Sequence, residues 1–335
     1  MIFRAKAPLR IGFCGGGSDV PPFVNEYGGY VLNATINKYV HVTLETNDSG
    51  RFMCHSNDFH QSVEYDIKSP LPYDGNLDLI KACFNKVHGY IEIKGCDIYI
   101  QSDAPPGVGL GTSSTVVVAV LGALLEASKL NLNCYEIARM AYDVERNDLG
   151  MLGGGQDQYA ATFGGINFIE FHKDGSVIVN TLRLTKKTIN ELQHNLLLCY
   201  TGIRHNSHDI IREQREVTKE RIDILTHLKE IASAMKEDLL TDELSNFGQL
   251  LSYGWQRKKC LSDKISNAHI DSIAQKAMDA GAEGLKITGA GGGGVFIVYC
   301  DWRKKTLIAN VMSQAGCQIL DFTITKTGLE SWFVE

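Results

Sequence analysis

Hydrophobic and polar residues alternate over several short stretches in the first half of the chain. This period of two is typical of strands that have one buried face. The same stretches are rich in β-branched and aromatic residues, which favour strands. The pattern predicts an early β-rich layer, with strands that begin at Phe3 and cover residues 30–36, 39–45, 52–55, 62–67, 96–101 and 164–171.

A second spacing, with hydrophobic residues every three to four positions, predicts helices. The second half of the chain also contains short strand-like runs, which predict a sheet with helices on one side. We therefore expect an α+β protein whose first domain closes near residue 180, so that the domains are residues 1–180 and 181–335. The predicted helices cover residues 77–89, 134–149, 267–280 and 303–315, an apolar run from Val116 to Leu125, and a charged amphipathic stretch from about residue 207 to beyond Met235.

Composition restricts the class of protein. The chain has 335 residues, of which 44% are hydrophobic, enough to bury the cores of two domains. A formal net charge of -6 argues against a general nucleic-acid partner, because such proteins usually present a basic face. The N-terminus carries charges where a signal peptide would be apolar, and no apolar run is long enough to cross a bilayer. We expect a cytoplasmic protein without a membrane partner.

Cysteine and histidine give little sign of a structural metal. The nine cysteines contain no Cys-x-x-Cys pair and are widely spaced, which favours reduced thiols over disulfides or a zinc site. His205 and His208 are one helical turn apart, but no third ligand cluster accompanies them. The start of a solvated helix is the favoured interpretation of this pair, and a metal site is the alternative.

The stretch from Asp103 to Thr115 alternates glycines with polar residues and ends in three consecutive hydroxyl residues just before the apolar run. Glycines allow a ligand to approach the backbone closely, and a helix start offers free N–H groups and the positive end of its dipole. The stretch predicts a phosphate site. It is not a P-loop, since the sequence has no Gly-Lys dipeptide, and the His-Arg-Asp and Asp-Phe-Gly motifs of protein kinases are also missing.

Two further glycine clusters lie near the ends of the chain, at Gly12–Asp19 and Gly289–Gly294. The second matches Gly-x-Gly-x-x-Gly, but the strand Val295–Tyr299 follows it, whereas a dinucleotide-binding motif opens a helix. In order and spacing, the three glycine-rich stretches resemble the motifs of the GHMP family of small-molecule kinases, which includes galactokinase, homoserine kinase and mevalonate kinase. The resemblance covers nearly the whole chain.

The resemblance implies a fold and an activity. The expected fold is α+β, with an N-terminal domain similar to the second domain of ribosomal protein S5 and a C-terminal ferredoxin-like domain. Cys14–Val20 lacks the Glu-His pair of galactokinases. Together with Gly155–Gln158, Tyr200–Arg204 and Leu285–Gly294, this segment is most similar to D-glycero-D-manno-heptose 7-phosphate kinases of GDP-heptose synthesis. These enzymes phosphorylate the anomeric hydroxyl of the sugar, with ATP as donor and Mg²⁺ as cofactor.

The resemblance also implies roles for particular residues at the ATP site. Ser113 is at the position of a metal-binding serine, and Glu145 matches the second metal ligand, unless it is a surface acid of its helix. The backbone of the glycine loop is expected to wrap the ATP phosphates, through Pro106, Gly107, Val108, Gly109, Leu110, Gly111, Thr112, Ser113 and Ser114.

Other residues are implied to act on the sugar. Asp157 is expected to be the catalytic aspartate in a glycine-rich loop, which takes the proton of the attacking hydroxyl, with an aspartate that caps a helix or a turn as the alternative. Arg10 is expected to face the transferred phosphoryl group or the substrate, since its fork-shaped guanidinium suits phosphate, with a structural ion pair as the alternative. The remaining candidates for sugar or sugar-phosphate contacts are Ser18, Asp19, Arg204, Ser207, Gly291 and Gly292.

Two other functions stay open at this point. One is a kinase of the same family that acts on the C1 hydroxyl of L-fucose or of an unphosphorylated heptose. The other is a sensor of sugar or nucleotide that has lost catalysis, although the presence of both Glu145 and Asp157 argues against it. The partners expected are therefore small molecules, ATP and a sugar phosphate, and the oligomeric state stays undetermined.

Overall fold

The computed structural model describes residues 1–58, 60–67, 70–88, 90, 93–203, 207–216 and 218–335. Within these ranges the chain forms two sheets and a set of helices around them. The strands are β1 (Ile2–Cys14), β2 (Gly29–Thr46), β3 (Arg51–Ser56), β4 (Gln61–Asp66), β5 (Cys96–Ser102), β6 (Ile166–Phe171), β7 (Val177–Thr181), β8 (Leu196–Tyr200), β9 (Gly284–Ile287), β10 (Val295–Tyr299), β11 (Gln318–Leu320) and β12 (Glu330–Phe333).

Eleven α-helices lie in the described ranges. They are α1 (Phe23–Tyr27), α2 (Asp78–His88), α3 (Thr112–Ser128), α4 (Cys134–Asp143), α5 (Gln156–Phe163), α6 (Lys186–Asn195), α7 (Ser207–Gln214), α8 (Lys219–Leu240), α9 (Phe247–Lys259), α10 (Ala268–Asp279) and α11 (Trp302–Gln314). A single π-helical stretch, Val144–Asp148, continues directly from α4.

The first sheet has eight strands, ordered β12-β1-β2-β5-β3-β4, with β6 beside β2 and β7 beside β6. β2 is long enough to pair with β5 through residues 40–46 and with β6 through residues 29–34. Two separate strands were predicted here, but their alternating patterns belong to one continuous strand. The helix α3 packs against β1 and β2 and also contacts α2, α4 and α5.

The second sheet has four strands in the order β11-β8-β10-β9, and every pairing is antiparallel. In sequence order the fourth strand lies beside the first, and the third lies between the first and the second. This is the ferredoxin-like arrangement. The result confirms the predicted α+β class and the ferredoxin-like second half.

The helices α8 and α9 connect the two sheets. α8 packs on β1 and β2, α9 packs on β9 and β10, and the two helices contact each other. The predicted single amphipathic helix is instead two helices, because Thr218 caps the start of α8 by accepting a hydrogen bond from the backbone N–H of Arg221.

The expected domain boundary near residue 180 stays a prediction. The C-terminal strand, however, belongs to the sheet of the first half. β12 pairs antiparallel with β1, with Phe3 opposite Phe333, so the last strand of the chain forms an edge of the first sheet. The helices α5, α6 and α9 and the strand β12 were not predicted from the sequence.

Candidate active site

The phosphate loop, residues 106–111, lies at the mouth of a cleft and leads directly into α3. Gly107, Gly109 and Gly111 have φ angles of 79°, 82° and 79°, a conformation that residues with a Cβ rarely adopt. Gly111 is the N-cap of α3, so Thr112, Ser113 and Ser114 form the first turn. The unpaired N–H groups of this turn are available to an anion.

Arg10 and Asp157 form a partly buried ion pair in the cleft. The Nε and Nη2 atoms of Arg10 donate to the two carboxylate oxygens of Asp157 at 2.7 and 2.9 Å. Nη1 donates to the carbonyl oxygen of Gly109 at 2.5 Å, which connects the pair to the phosphate loop. Asp157 lies in the first turn of α5, not in a loop as predicted, because the glycine stretch ends at Gly155.

The phosphate loop touches this ion pair at Gly111. A Cβ atom added to Gly111 would lie 3.2 Å from Cγ of Asp157 and 3.4 Å from Cγ of Arg10. A glycine is therefore needed here both for its φ angle and for space. The carboxylate of Asp157, with 23% of its side chain exposed, reaches the space beside the start of α3.

Asp19 is a second carboxylate of the cleft and is almost completely buried. It accepts hydrogen bonds from the backbone N–H of Gly17 at 3.0 Å and of Gln156 at 3.1 Å, and from Nε2 of Gln156 at 3.3 Å. Burial raises its pKa, and the backbone hydrogen bonds act in the opposite direction. At Gly154 a Cβ atom would overlap the Asp19 carboxylate, so this position also needs a glycine.

Glu145, in the π-helical stretch, is the third carboxylate that lines the cleft. It is 1% exposed and accepts hydrogen bonds from Oγ of Ser114, at 2.8 and 3.0 Å, and from Nε2 of Gln158. Burial raises its pKa, while the nearby Arg146 and the two hydrogen-bond donors lower it. The interpretation of Glu145 as a surface acid is wrong for this structure.

Family models match both halves of the chain. The model for the GHMP kinases N terminal domain matches residues 78–165, and the model for the GHMP kinases C terminal region matches residues 235–316. A D-glycero-alpha-D-manno-heptose 7-phosphate kinase from Campylobacter jejuni is 38% identical over 333 residues, with 98% of each chain covered. The chain belongs to the GHMP kinase family.

Solved structures agree with this assignment. A D-glycero-D-manno-heptose 1-phosphate kinase from Bacteroides thetaiotaomicron is 36% identical and covers 99% of each chain, with a TM-score of 0.86. A putative sugar kinase from Campylobacter jejuni is 38% identical, with a TM-score of 0.81 over 99% of this chain and 98% of the other. The recognised family and the α+β GHMP kinase fold are therefore confirmed, and the protein is a sugar kinase, a phosphotransferase.

In this GHMP kinase, Ser113 and Glu145 provide hydroxyl and carboxylate oxygen atoms, the kinds of ligand that a magnesium ion binds. Mg²⁺ is usually held by one or two carboxylates together with substrate phosphates. Glu145 and Ser113 both line the cleft, and the side chain of Ser113 is exposed. The hydrogen bond to Glu145 comes from the neighbouring Ser114 and not from Ser113. The described residues contain no group of three or more His, Cys, Asp or Glu side chains that could hold a metal alone.

Three of the predicted sugar-binding residues are not brought into the cleft. Ser18 is completely buried, and its hydroxyl group is hydrogen-bonded to the backbone of Gly15 and Tyr30. Gly291 and Gly292 pack against Ile265, and the N–H of Gly292 donates to the carbonyl oxygen of Ile265 at 2.7 Å.

Arg204 lies outside the described residues, as does His205, and Ser207 is described only as the first residue of α7. Farther along α7, Ile211 and Gln214 line the cleft. None of the helices in the described ranges has the length and hydrophobicity required to cross a lipid bilayer.

The C-terminal glycine stretch packs directly against the backbone of the phosphate loop. A Cβ atom at Gly289 would lie 2.7 Å from Cα of Gly109, and one at Gly294 would lie 2.3 Å from the carbonyl oxygen of Val108. The N–H of Val295 donates to the same oxygen at 3.1 Å. These glycines let two backbones touch where side chains would separate them.

The sequence analysis missed the glutamines on either side of Asp157. In the first turn of α5, Gln156 holds Asp19, Asp157 holds Arg10, and Gln158 holds Glu145. The sequence did contain a signal for this turn, since three consecutive polar residues, 156–158, follow directly after a glycine stretch.

Two lysines of the second half are buried. Lys258 lines the cleft, whereas Lys286 donates to the carbonyl oxygen of Gly12 at 2.8 Å. Burial lowers the pKa of Lys258 to about 8 and that of Lys286 to about 7.

Proposed function

We propose that this kinase transfers the γ-phosphoryl group of ATP to the C1 hydroxyl of D-glycero-D-manno-heptose 7-phosphate. The product is the 1,7-bisphosphate, which we place in cytoplasmic synthesis of GDP-heptose for cell-surface glycans. The observation that carries the transfer chemistry is the Asp157 carboxylate, held by Arg10 beside the start of α3.

In the proposed reaction, an oxygen of the C1 hydroxyl attacks the γ-phosphorus of ATP. The bond between that phosphorus and the bridging oxygen breaks, and the electron pair leaves with ADP. Asp157 accepts the proton of the hydroxyl group, and Arg10 keeps its carboxylate in position. The backbone of residues 106–114 binds the ATP phosphates.

Ser113 and Glu145 are the residues that would hold Mg²⁺ in this proposal. The ion, when bound, neutralises charge on the ATP phosphates. Burial raises the pKa of the Glu145 carboxyl group, and a cation close to it would act in the opposite direction by favouring the ionised form.

The identity of the sugar is supported by similarity and by the polar side of the cleft. The curated relative from Campylobacter jejuni is a heptose 7-phosphate kinase, whereas the similar Bacteroides structure is a heptose 1-phosphate kinase. Asp19 offers a carboxylate to sugar hydroxyls, and we assign Arg204 and Ser207 to the phosphate that the sugar already carries.

Fucose is the second candidate substrate. A bifunctional fucokinase/GDP-fucose pyrophosphorylase from Arabidopsis thaliana is 27% identical over 319 residues, which cover 90% of this chain and 30% of that protein. Because this identity is lower, we rank fucose after heptose 7-phosphate, and unphosphorylated heptose stays a further alternative. A sensor without catalysis is less compatible with the assembled Arg10–Asp157 pair.

The test is an ADP-release assay with heptose 7-phosphate, heptose, L-fucose, galactose and mannose, followed by phosphorus NMR of the product. We expect kcat/KM to be highest for heptose 7-phosphate and the new phosphate to be on C1. A higher kcat/KM for fucose or for free heptose would replace the proposed substrate. If no sugar releases ADP although ATP binds, the sensor function is correct.

A further inference from the structure

Lys258 is a buried cation that the proposed reaction leaves without a role. It lies in the last turn of α9 and lines the cleft, with 6% of its surface exposed. Its Nζ atom donates to the carbonyl oxygen of Gly289 at 2.6 Å. An ammonium group has three N–H donors, so two of them are left for a ligand.

The two other described cations of the cleft, Arg10 and Arg146, already donate several hydrogen bonds to the protein. Each nitrogen of Arg10 donates to Asp157 or to Gly109. Arg146 directs Nε and Nη2 to the carbonyl oxygen of Gly154. Of the three cationic side chains described there, Lys258 makes the fewest hydrogen bonds to the protein, a single one to Gly289.

The burial of Lys258 is energetically costly. Within the described residues, no carboxylate lies within 4.0 Å of its Nζ atom. A buried charge is costly unless it is paired, so an anion bound beside Lys258 would stabilise its charged form. Asp19 and Asp157 attract the ammonium group from a longer distance, Arg10 and Lys286 repel it, and Cys14 is also close enough to act on it.

The position of Lys258 relative to the phosphate loop indicates which anion it would bind, a phosphoryl group. Gly289, its hydrogen-bond acceptor, is in backbone contact with Gly109 of the phosphate loop. Arg10 binds the carbonyl oxygen of the same Gly109 and also holds Asp157. Both cations are therefore connected to Gly109 of the phosphate loop, Arg10 directly and Lys258 through Gly289.

We propose that Lys258 is a further catalytic residue, whose ammonium group contacts the phosphoryl group during its transfer from ATP to the sugar. Lys258 forms no covalent bond and keeps its proton; it neutralises charge on the phosphoryl oxygens as the bond to ADP breaks. The inference rests on the proposed transfer from ATP, but not on which sugar accepts the group.

Nucleotide binding tests the inference without a sugar. Calorimetry with Mg²⁺ gives dissociation constants for ADP and for a non-hydrolysable ATP analogue, which differ by the γ-phosphate. We expect Lys258→Met to reduce the preference for the ATP analogue at least tenfold and to leave the affinity for ADP unchanged, whereas Lys258→Arg keeps the preference. The matched control is Lys259→Met, since Lys259 is partly exposed and paired with Asp271 at 3.1 Å.

The pH dependence separates charge from packing. The wild-type preference for the ATP analogue should decline above pH of about 8, where Lys258 loses its proton, and the arginine variant should keep it. An unchanged preference in Lys258→Met, with a normal melting temperature, overturns the inference. A raised KM for the sugar phosphate alone also overturns it, since Lys258 would then bind the substrate's own phosphate.

Discussion

The phosphate loop and the first turn of α5 meet at Gly111, but they build their parts of the cleft by different means. The loop uses backbone: its alternate glycines have positive φ angles, and it leads into the first turn of α3, whose free N–H groups can bind an anion. The turn of α5 uses side chains, one each for Asp19, Arg10 and Glu145. The loop should therefore be sensitive to any added Cβ atom, and the turn to the loss of particular polar groups.

The largest effect is expected at the centre of the side-chain part. Asp157→Asn keeps an oxygen for Arg10 but cannot accept the proton of the sugar hydroxyl. We expect kcat to fall about 10²–10⁴-fold, the usual contribution of a general base, with ATP affinity unchanged. Steady-state kinetics and calorimetry measure the two quantities, and a variant with near-normal kcat would show that Asp157 is not the base.

The backbone part can be tested by adding one methyl group. Gly111→Ala places a Cβ atom 3.2 Å from Cγ of Asp157, so we expect kcat to fall at least tenfold. Gly175→Ala is the matched control, because Gly175 also has a positive φ, 83°, but has no atom within 4 Å of the new Cβ. Both should lose about 1–2 kcal/mol of folding stability from backbone strain. Equal activity in the two variants would contradict the role of Gly111.

Substitution of the two glutamines separates the role of Asp19 from that of Glu145. Gln156→Met removes a hydrogen bond from Asp19, and we expect the sugar KM to rise about tenfold while the ATP KM is unchanged. Gln158→Met removes a hydrogen bond from Glu145, and the ATP KM should rise instead. If both variants change the same KM, Asp19 and Glu145 do not serve different substrates.

The activity of the Gln156→Met variant should also differ from that of the wild type in its dependence on pH. Burial already raises the pKa of Asp19, and losing the Gln156 side-chain hydrogen bond should raise it further, because that bond favours the ionised form. The carboxylate would then be neutralised at a higher pH as the solution is made more acidic. The sugar kcat/KM of Gln156→Met should decline at a higher pH than that of the wild type.

The smallest effect on activity is expected at Ser18. Its hydroxyl group accepts the N–H of Tyr30 at 3.1 Å and lies away from the cleft. Ser18→Ala should cost about 1–3 kcal/mol of stability, since a buried N–H loses its partner, and should leave the sugar KM unchanged. Denaturant unfolding and kinetics measure both, and a raised KM with normal stability would restore Ser18 as a sugar ligand.

The sequence was informative where a feature is local. The phosphate loop, the strands of the first sheet and the ferredoxin-like half follow from glycine spacing, periodicity and family resemblance. The start of α5 was missed because glycines precede it, and the helix was interpreted as part of their loop. The helix α9 was missed because polar residues interrupt its apolar positions, among them Lys258 on its buried side.

Contacts between distant parts of the chain could not be predicted. Asp19 and Gln156 are 137 positions apart, and Lys258 and Gly289 belong to different elements of the second half. Only the folded chain brings these partners together, because neither has a local signal that specifies the other. The part of the cleft around Asp19 depends on such contacts, and for this reason it was predicted less well than the phosphate loop.

The pairing of β12 with β1 has a consequence for the order of folding. During synthesis β1 leaves the ribosome well before β12, yet one of its edges is covered by residues made more than 300 positions later. Until then an edge with free N–H and C=O groups can pair with another chain. Leu329, just before β12, also packs against Gly122 of α3, the helix that carries the phosphate loop. The N-terminal half of a growing chain therefore stays incomplete, and exposed to misassembly, until its last strand arrives.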